Sequence, residues 1–197
     1  MKRLIPMLFV GVANGAELAN YPNSAFTVQQ NEVRVESAIS QAKTINTMVR
    51  YGVTDTLEAR LITNDVRYLK QQVIDFKYSV ISSATDNSFK PAMAVEVGAN
   101  VITGNSYFSF NFDHFTSNGF NFEYNIGAAN GVQYQTSWAI TKKIDDTAYF
   151  INGFNNQGSN AYGAGFEYKP SDKWSLFNNN SLVDGGLVSI VGFALKL

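Results

Sequence analysis

Phe120-Asn121-Phe122-Glu123-Tyr124-Asn125-Ile126-Gly127-Ala128 places every aromatic or aliphatic side chain on an even number and every polar or minimal one on an odd number. Successive strand side chains point to opposite faces, so the stretch reads as a strand with one apolar and one polar face; a helix cannot keep that phase. The same period of two recurs as Val132, Tyr134, Thr136, Trp138 and Ile140 against Gln133, Gln135, Ser137, Ala139 and Thr141. It recurs again as Met93, Val95, Val97, Ala99 and Val101 against Ala94, Glu96, Gly98 and Asn100, and it runs between turns from Glu32 to the last residue. Such alternation suits a soluble sandwich or a membrane barrel, and the polar face decides between them. It carries Gly, Asn and charges of both signs with few solvating lysines, which reads as a barrel lumen with the aromatic face towards lipid.

Composition supports a single folded unit: 197 residues, 45% hydrophobic and 16% charged, leave ample apolar surface. A helical span needs about 20 consecutive apolar residues, and nothing beyond the N-terminus approaches that, so any membrane crossing is made by strands. The 15 Phe, 10 Tyr and 15 Gly against only 4 Pro suit many strands joined by tight turns. A formal charge of -1 argues against nucleic acid as a partner. With no Cys, a disulfide framework, a thiolate nucleophile and a cysteine metal site are all excluded.

Lys2 and Arg3, the apolar run from Leu4 to Val12 and the small residues Ala13-Asn14-Gly15 have the form of an export signal. The expected organisation is a signal peptide over 1–15, an N-terminal tether over 16–30, which lacks a clean period, and a transmembrane barrel over 31–197. About twelve strands are expected, centred near Val35, Met48, Ala59, Phe76, Val97, Phe110, Tyr124, Thr136, Ile151, Gly165, Leu176 and Val191.

The connections are short and carry hairpin chemistry: Gly104-Asn105, Asn118-Gly119, Asn130-Gly131, Asp145-Asp146 and Gly185-Gly186. Consecutive strands then pair in an all-β, closed, antiparallel up-and-down transmembrane β-barrel, because closure removes the edges and an even strand number returns both termini to one side. On the periplasmic side fall Val53–Asp55, Ser82–Ser88, Thr116–Gly119, Lys142–Asp146 and Lys169–Lys173; three of these place an Asp in a tight turn. The last strand keeps Leu187, Ser189, Val191, Phe193, Leu195 and Leu197 in one outward row. Barrels delivered to the assembly machinery of the outer membrane usually end so, though with an aromatic residue where this chain has Leu197. The expected surroundings are therefore the outer-membrane bilayer, with that machinery as a partner during biogenesis.

Val49-Arg50-Tyr51-Gly52-Val53-Thr54-Asp55-Thr56-Leu57-Glu58-Ala59-Arg60-Leu61 resembles the hairpin of the outer-membrane transporters named after the meta-pathway of phenol degradation. The match covers this hairpin well and residues 31–63 loosely. It implies an outer-membrane barrel that passes small, often hydrophobic solutes. Read physically, Gly52 lets the backbone turn, Asp55 bonds N–H groups within that turn, and Tyr51 suits the lipid–water interface.

Phase assigns the charges. Glu32, Arg34 and Glu36 share an inward face, as do Glu58 with Arg60 and Asp75 with Lys77, with Arg50 inward between them. Later strands contribute Glu96, Asp113, Glu123 and Glu167 among Gly, Ser, Asn and Gln. Two readings compete: an Arg-bearing wall facing an acidic one sets a field across a pore for small solutes, or the charges pair across strands, fill the interior and leave a structural or interaction barrel with a blocked lumen. Tyr51, Tyr124, Trp138, Tyr162, Tyr168 and Trp174 are expected as membrane-interface aromatics.

No enzyme activity is expected. The one histidine, His114, follows Asp113, and adjacent strand residues face opposite ways, so the Asp cannot orient the His. No cofactor or metal is expected either, since one His, no Cys and the isolated Asp145-Asp146 pair fall short of a ligand set.

Overall fold

The computed structural model describes residues 25–41, 43–64, 71–81, 91–116, 118–129, 133–156 and 159–197. The expected signal peptide, the first part of the tether and the turns at 82–88 and 130–131 lie outside them. Twelve strands follow one another: β1 (Val33–Ser40), β2 (Ile45–Gly52), β3 (Leu57–Asn64), β4 (Gln71–Ile81), β5 (Ala92–Asn100), β6 (Ser106–Phe115), β7 (Phe120–Ala129), β8 (Gln133–Ile144), β9 (Thr147–Asn156), β10 (Ser159–Ser171), β11 (Trp174–Val183) and β12 (Gly186–Lys196). Every one of the twelve expected centres falls inside its strand, and among the described residues there is no helix.

Each strand pairs antiparallel with its neighbours in sequence, and β12 pairs with β1, so the sheet closes. The seam runs from Arg34 opposite Lys196 to Ser40 opposite Ile190, and the Leu197 N–H donates to the Val33 carbonyl at 2.9 Å. No edge is left to template another chain. The rim that carries the start of β1 and the end of β12 is called the proximal rim below; it also holds the turn residues 53–56, 118–119, 145–146 and 172–173. At the opposite rim the last hairpin turns one residue earlier than expected. Asp184 and Gly185 both take positive φ, 46° and 83°, and Gly186 already pairs with Val183. Two left-handed residues in succession match the right-handed twist of the flanking strands, which is why an Asp-Gly pair sits there.

Strand phase divides the wall into two surfaces. Val97 is 49% exposed on the outside while its neighbour Glu96 is 0% exposed on the inside, and the outward rows of all twelve strands present Phe, Tyr, Trp, Ile, Leu and Val. A closed barrel with an apolar exterior and buried charges inside inverts the usual soluble arrangement. The interior also holds apolar clusters, among them Met48, Ile62, Val73 and Tyr107 on β2–β6, and Ala38, Ala139, Phe150, Phe177 and Ile190 elsewhere around the wall. The lumen is thus less uniformly polar than its charges alone suggest. Val97→Arg, at mid-strand on the outer face, should cost about 2–4 kcal/mol. Unfolding from lipid vesicles in denaturant measures it, and a change within experimental scatter would place that face in water.

Candidate functional site

The strand register brings inward charges together across the sheet. Arg50 stands opposite Arg60, a pairing of like charges, so Arg50 reaches diagonally instead. Its Nε donates to Glu58 Oε1 and its Nη2 to Glu58 Oε2, both at 2.9 Å, and its Nη1 lies 3.5 Å from Glu36 Oε1. The two parallel bonds make this a fork-to-carboxylate pair, the geometry in which an Arg side chain loses least on being held. Glu58 also faces Lys77 directly across β3–β4, at 3.5 Å, and lies 3.9 Å from Arg60.

A second node forms one step further in. Arg60 donates from Nε to Asp75 Oδ1 at 2.5 Å, and its Nη2 lies against Glu96 Oε1. The Tyr107 hydroxyl stands between the two carboxylates, 2.6 Å from Asp75 Oδ2 and 3.0 Å from Glu96 Oε1. From Glu96 the contacts become uncharged: Asn111 Nδ2 donates to Glu96 Oε2 at 3.1 Å, Asn125 Nδ2 to Asn111 Oδ1 at 3.0 Å, and Ser137 Oγ to Asn125 Oδ1 at 2.9 Å. One polar lattice therefore passes across the inner faces of β1 to β8. All of Glu36, Arg50, Glu58, Arg60, Asp75, Lys77 and Glu96 are buried. Charges removed from bulk water require this degree of mutual pairing.

The remaining residues expected to line the lumen are placed around it. Arg34 lies 3.7 Å from Glu36 and 3.9 Å from Glu167, and Glu123 accepts from Asn121 Nδ2 at 2.7 Å. Glu32 sits before β1 at the proximal rim, paired with Lys196 at 2.6 Å. Asp113, inward by its phase, is buried on β6 directly across from Glu123, and Tyr107, which the sequence does not single out, joins it on the inner face of β6. The alternation on β6 carried the signal for both.

The six aromatic residues lie on the outer wall, but at different depths. Tyr168 and Trp174 pack edge to face near the proximal rim, with ring centroids 6.1 Å apart, and Tyr51 is the last residue but one of β2 at the same rim. Tyr162 lies near the opposite end, at the start of β10. Tyr124 and Trp138 face each other in mid-strand, away from both rims, so an interfacial girdle is not their position. The Trp138 indole instead covers the bare backbone of Gly153 on β9.

Residues 25–30, expected as part of a tether, run along the inside of the proximal rim. The Ala25 N–H donates to Asp113 Oδ2 and the Val28 N–H to Glu58 Oε2, both at 2.7 Å. Thr27 Oγ1 donates to the Asp55 carbonyl at 2.8 Å, and the Gln30 N–H to Asp55 Oδ1 at 3.2 Å. Ala25 packs with Ala92 and Ala94, with Phe26 against that cluster and 5.8 Å from the Phe115 ring. This geometry revises two readings of the 49–61 hairpin. Gly52 does not adopt positive φ; a side chain there would meet the Gln29 carbonyl oxygen, 1.9 Å from an ideal Cβ, so the glycine makes room for the inner segment. The turn itself is held by Thr54, whose Oγ1 accepts from Leu57 N–H at 3.0 Å and Thr56 N–H at 3.2 Å, while the Asp55 carboxylate holds Gln30.

Asp113 faces inward, and His114, next to it on β6, shares the phase of Phe112 and faces Phe122 across β6–β7. The two side chains thus point to opposite sides of the wall. Among the described residues no three His, Asp or Glu side chains are grouped as metal ligands.

Neither a protein-family model nor a curated protein sequence matches the chain. Among solved structures it is similar to the KdgM porin, with TM-score 0.65 and 9% identity, over 83% of this chain and 98% of that one. The same porin in complex with disordered oligogalacturonate superposes equally well, with TM-score 0.65 and 8% identity. An outer membrane channel from Pseudomonas putida F1 is similar over 89% of this chain and 99% of its own, with TM-score 0.59 and 8% identity. At these identities the likeness is one of fold: a closed barrel of antiparallel strands, which in this chain number twelve, apolar outside and largely polar within.

Proposed function

We propose that this chain is an outer-membrane channel for small polar solutes, with the proximal rim in the periplasm and the passage running past the lattice of Arg50, Arg60 and Lys77. The observation that carries this reading is the lattice itself, a continuous run of polar contacts across eight strands inside a barrel whose exterior is apolar. The hairpin resemblance to transporters of the phenol meta-pathway and the likeness in fold to two channels support it. The outward apolar row of β12 suits delivery by the barrel-assembly machinery, and the barrel works without catalysis, metal or cofactor.

Charge gives the passage a sign. Away from the Glu32–Lys196 and Lys169–Asp172 pairs at the proximal rim, four inward cations of the wall (Arg34, Arg50, Arg60 and Lys77) stand among the described residues with seven inward carboxylates (Glu36, Glu58, Asp75, Glu96, Asp113, Glu123 and Glu167). Asp113, Glu123 and Glu167 extend the inward carboxylates to β6, β7 and β10. An acidic lumen concentrates cations and disfavours anions.

Planar-bilayer recordings under a potassium chloride gradient test this. The expected result is discrete steps with a reversal potential on the cation side, moved towards zero by Glu123→Gln with Glu167→Gln. Anion preference would overturn the charge argument. Folded protein that does not conduct would return the chain to a structural barrel with a blocked lumen.

A further inference from the structure

Gly163 on β10 stands opposite Asn152 of β9 on one side and Ser181 of β11 on the other, so the three share one row across the inner wall. With no side chain in the middle of that row, the flanking side chains turn towards the gap. The three atoms nearest to an ideal Cβ on Gly163 are all oxygens: Ser181 Oγ at 2.6 Å, Asn179 Oδ1 at 2.7 Å and Asn152 Oδ1 at 2.8 Å. Gly163 makes no turn and has no positive φ, so what the glycine supplies is room. Ser181 is 1% exposed, and its hydroxyl has no hydrogen-bond partner among the described residues. A buried hydroxyl left in that state is costly unless another group meets it. We infer that these three oxygens form a binding site for a small monovalent cation, potassium or sodium, at the end of the lumen away from the proximal rim. Its part in passage rests on the channel reading above.

The donor set decides the class of ligand. Hard cations take oxygen ligands, and neutral oxygens replace the hydration shell of a singly charged ion without adding charge. A divalent ion is held better where carboxylates offset the cost of removing its water, and no Asp or Glu is among the three groups at Gly163. An anion is disfavoured, because two of the three oxygens are amide carbonyls and turn their negative ends to the same point. The site is separate from the polar lattice, which reaches Ser137 on β8, whereas these residues stand on β9, β10 and β11. Asn152 and Asn179 are buried, and each follows by two residues a ring of one apolar cluster, Phe150 and Phe177. That apolar border lowers the local dielectric and strengthens the pull of the oxygen dipoles on an ion. Ser181 lies two residues from Val183, the end of β11, so the site sits just inside the mouth opposite the proximal rim. A water molecule would fit the same oxygens, donating to the amides and accepting from Ser181, but it would be indifferent to the salt supplied.

Denaturant unfolding in vesicles, compared in potassium chloride and in N-methylglucamine chloride of equal ionic strength, tests the site independently of conduction. An ion bound only by the folded state stabilises it, so potassium at about ten times its dissociation constant should shift the unfolding equilibrium about tenfold. Ser181→Ala removes the unpartnered oxygen, and Gly163→Ala puts a methyl group among the three oxygens. Both should abolish the shift, while Ser189→Ala, in the outward row of β12, should keep it. If Gly163→Ala fails to fold, Ser181→Ala carries the comparison. A wild type indifferent to the cation would mean that water fills the site, and a shift that persists in Ser181→Ala and Gly163→Ala would put the ion elsewhere; either result overturns the inference. In planar bilayers the wild-type conductance should saturate with potassium, and that of Ser181→Ala should keep rising over the same range. Equal saturation in the two would overturn the part of the site in passage. A silent barrel with the potassium shift intact would end the channel reading and leave the site, and a conducting barrel without the shift would do the reverse.

Discussion

Arg60→Ala should destabilise the barrel by about 3–5 kcal/mol, the cost of leaving buried charge without its partner. Asp75 and Glu96 would then keep the Tyr107 hydroxyl between them, which can donate to one carboxylate at a time. The two acids approach the same hydroxyl oxygen, and their repulsion is no longer offset by the Arg60 guanidinium. Adding Glu96→Gln should recover a substantial part of the loss, because an amide neither repels Asp75 nor requires a counter-charge, and it still accepts from Asn111. Denaturant unfolding in vesicles of the single and double variants measures the coupling as a double-mutant cycle. If Arg60→Ala unfolds like the wild type, water reaches this node freely and the lattice contributes nothing to stability.

Gly192→Val should interfere with closure of the barrel. Gly192 lies on β12 opposite Ala38 of β1, on the seam that joins the two ends of the sheet. A side chain there would come 2.5 Å from the Ser37 carbonyl oxygen and 2.3 Å from the Phe177 ring, which is itself 1% exposed. Backbone on one side and a packed ring on the other leave nothing that yields cheaply, and overpacking of this kind costs about 1–3 kcal/mol or more. The folded form, recognised by its faster gel migration without heating, should disappear at a lower temperature, and Gly192→Ala should lie between. Equal midpoints for all three proteins would mean that Phe177 swings clear and that the seam is loosely packed.

The first variant probes what the register brought together, the second what the closure demands, and they divide along the line between pattern and pairing. The inward phase of Arg60, Asp75 and Glu96 could be read from a period of two, since strand geometry alone sends alternate side chains to the same face. That Arg50 faces Arg60, and so must reach diagonally to Glu58, depends on turn lengths and bulges that no single strand reveals. Tyr124 and Trp138 make the same point on the outside. Their type suited a headgroup girdle, but their depth follows from where each strand enters the wall, and that places them in the middle of it.

What the sequence by itself determined is the barrel: twelve strands, their order, their antiparallel meander and the side of the wall on which each charge lies. These follow from local rules, alternation along a strand and turn chemistry between strands, which act within a few residues. What only the tertiary structure decided is the partner of each charge, the role of Gly52 and Asp55, and the seat of residues 25–30. The physical reason is that residues 25–30 are held largely by their own peptide N–H groups. Every residue but proline carries that donor, so its use leaves no mark in the sequence, and the acceptors Glu58 and Asp113 reach it only once the strands between them have closed into a wall.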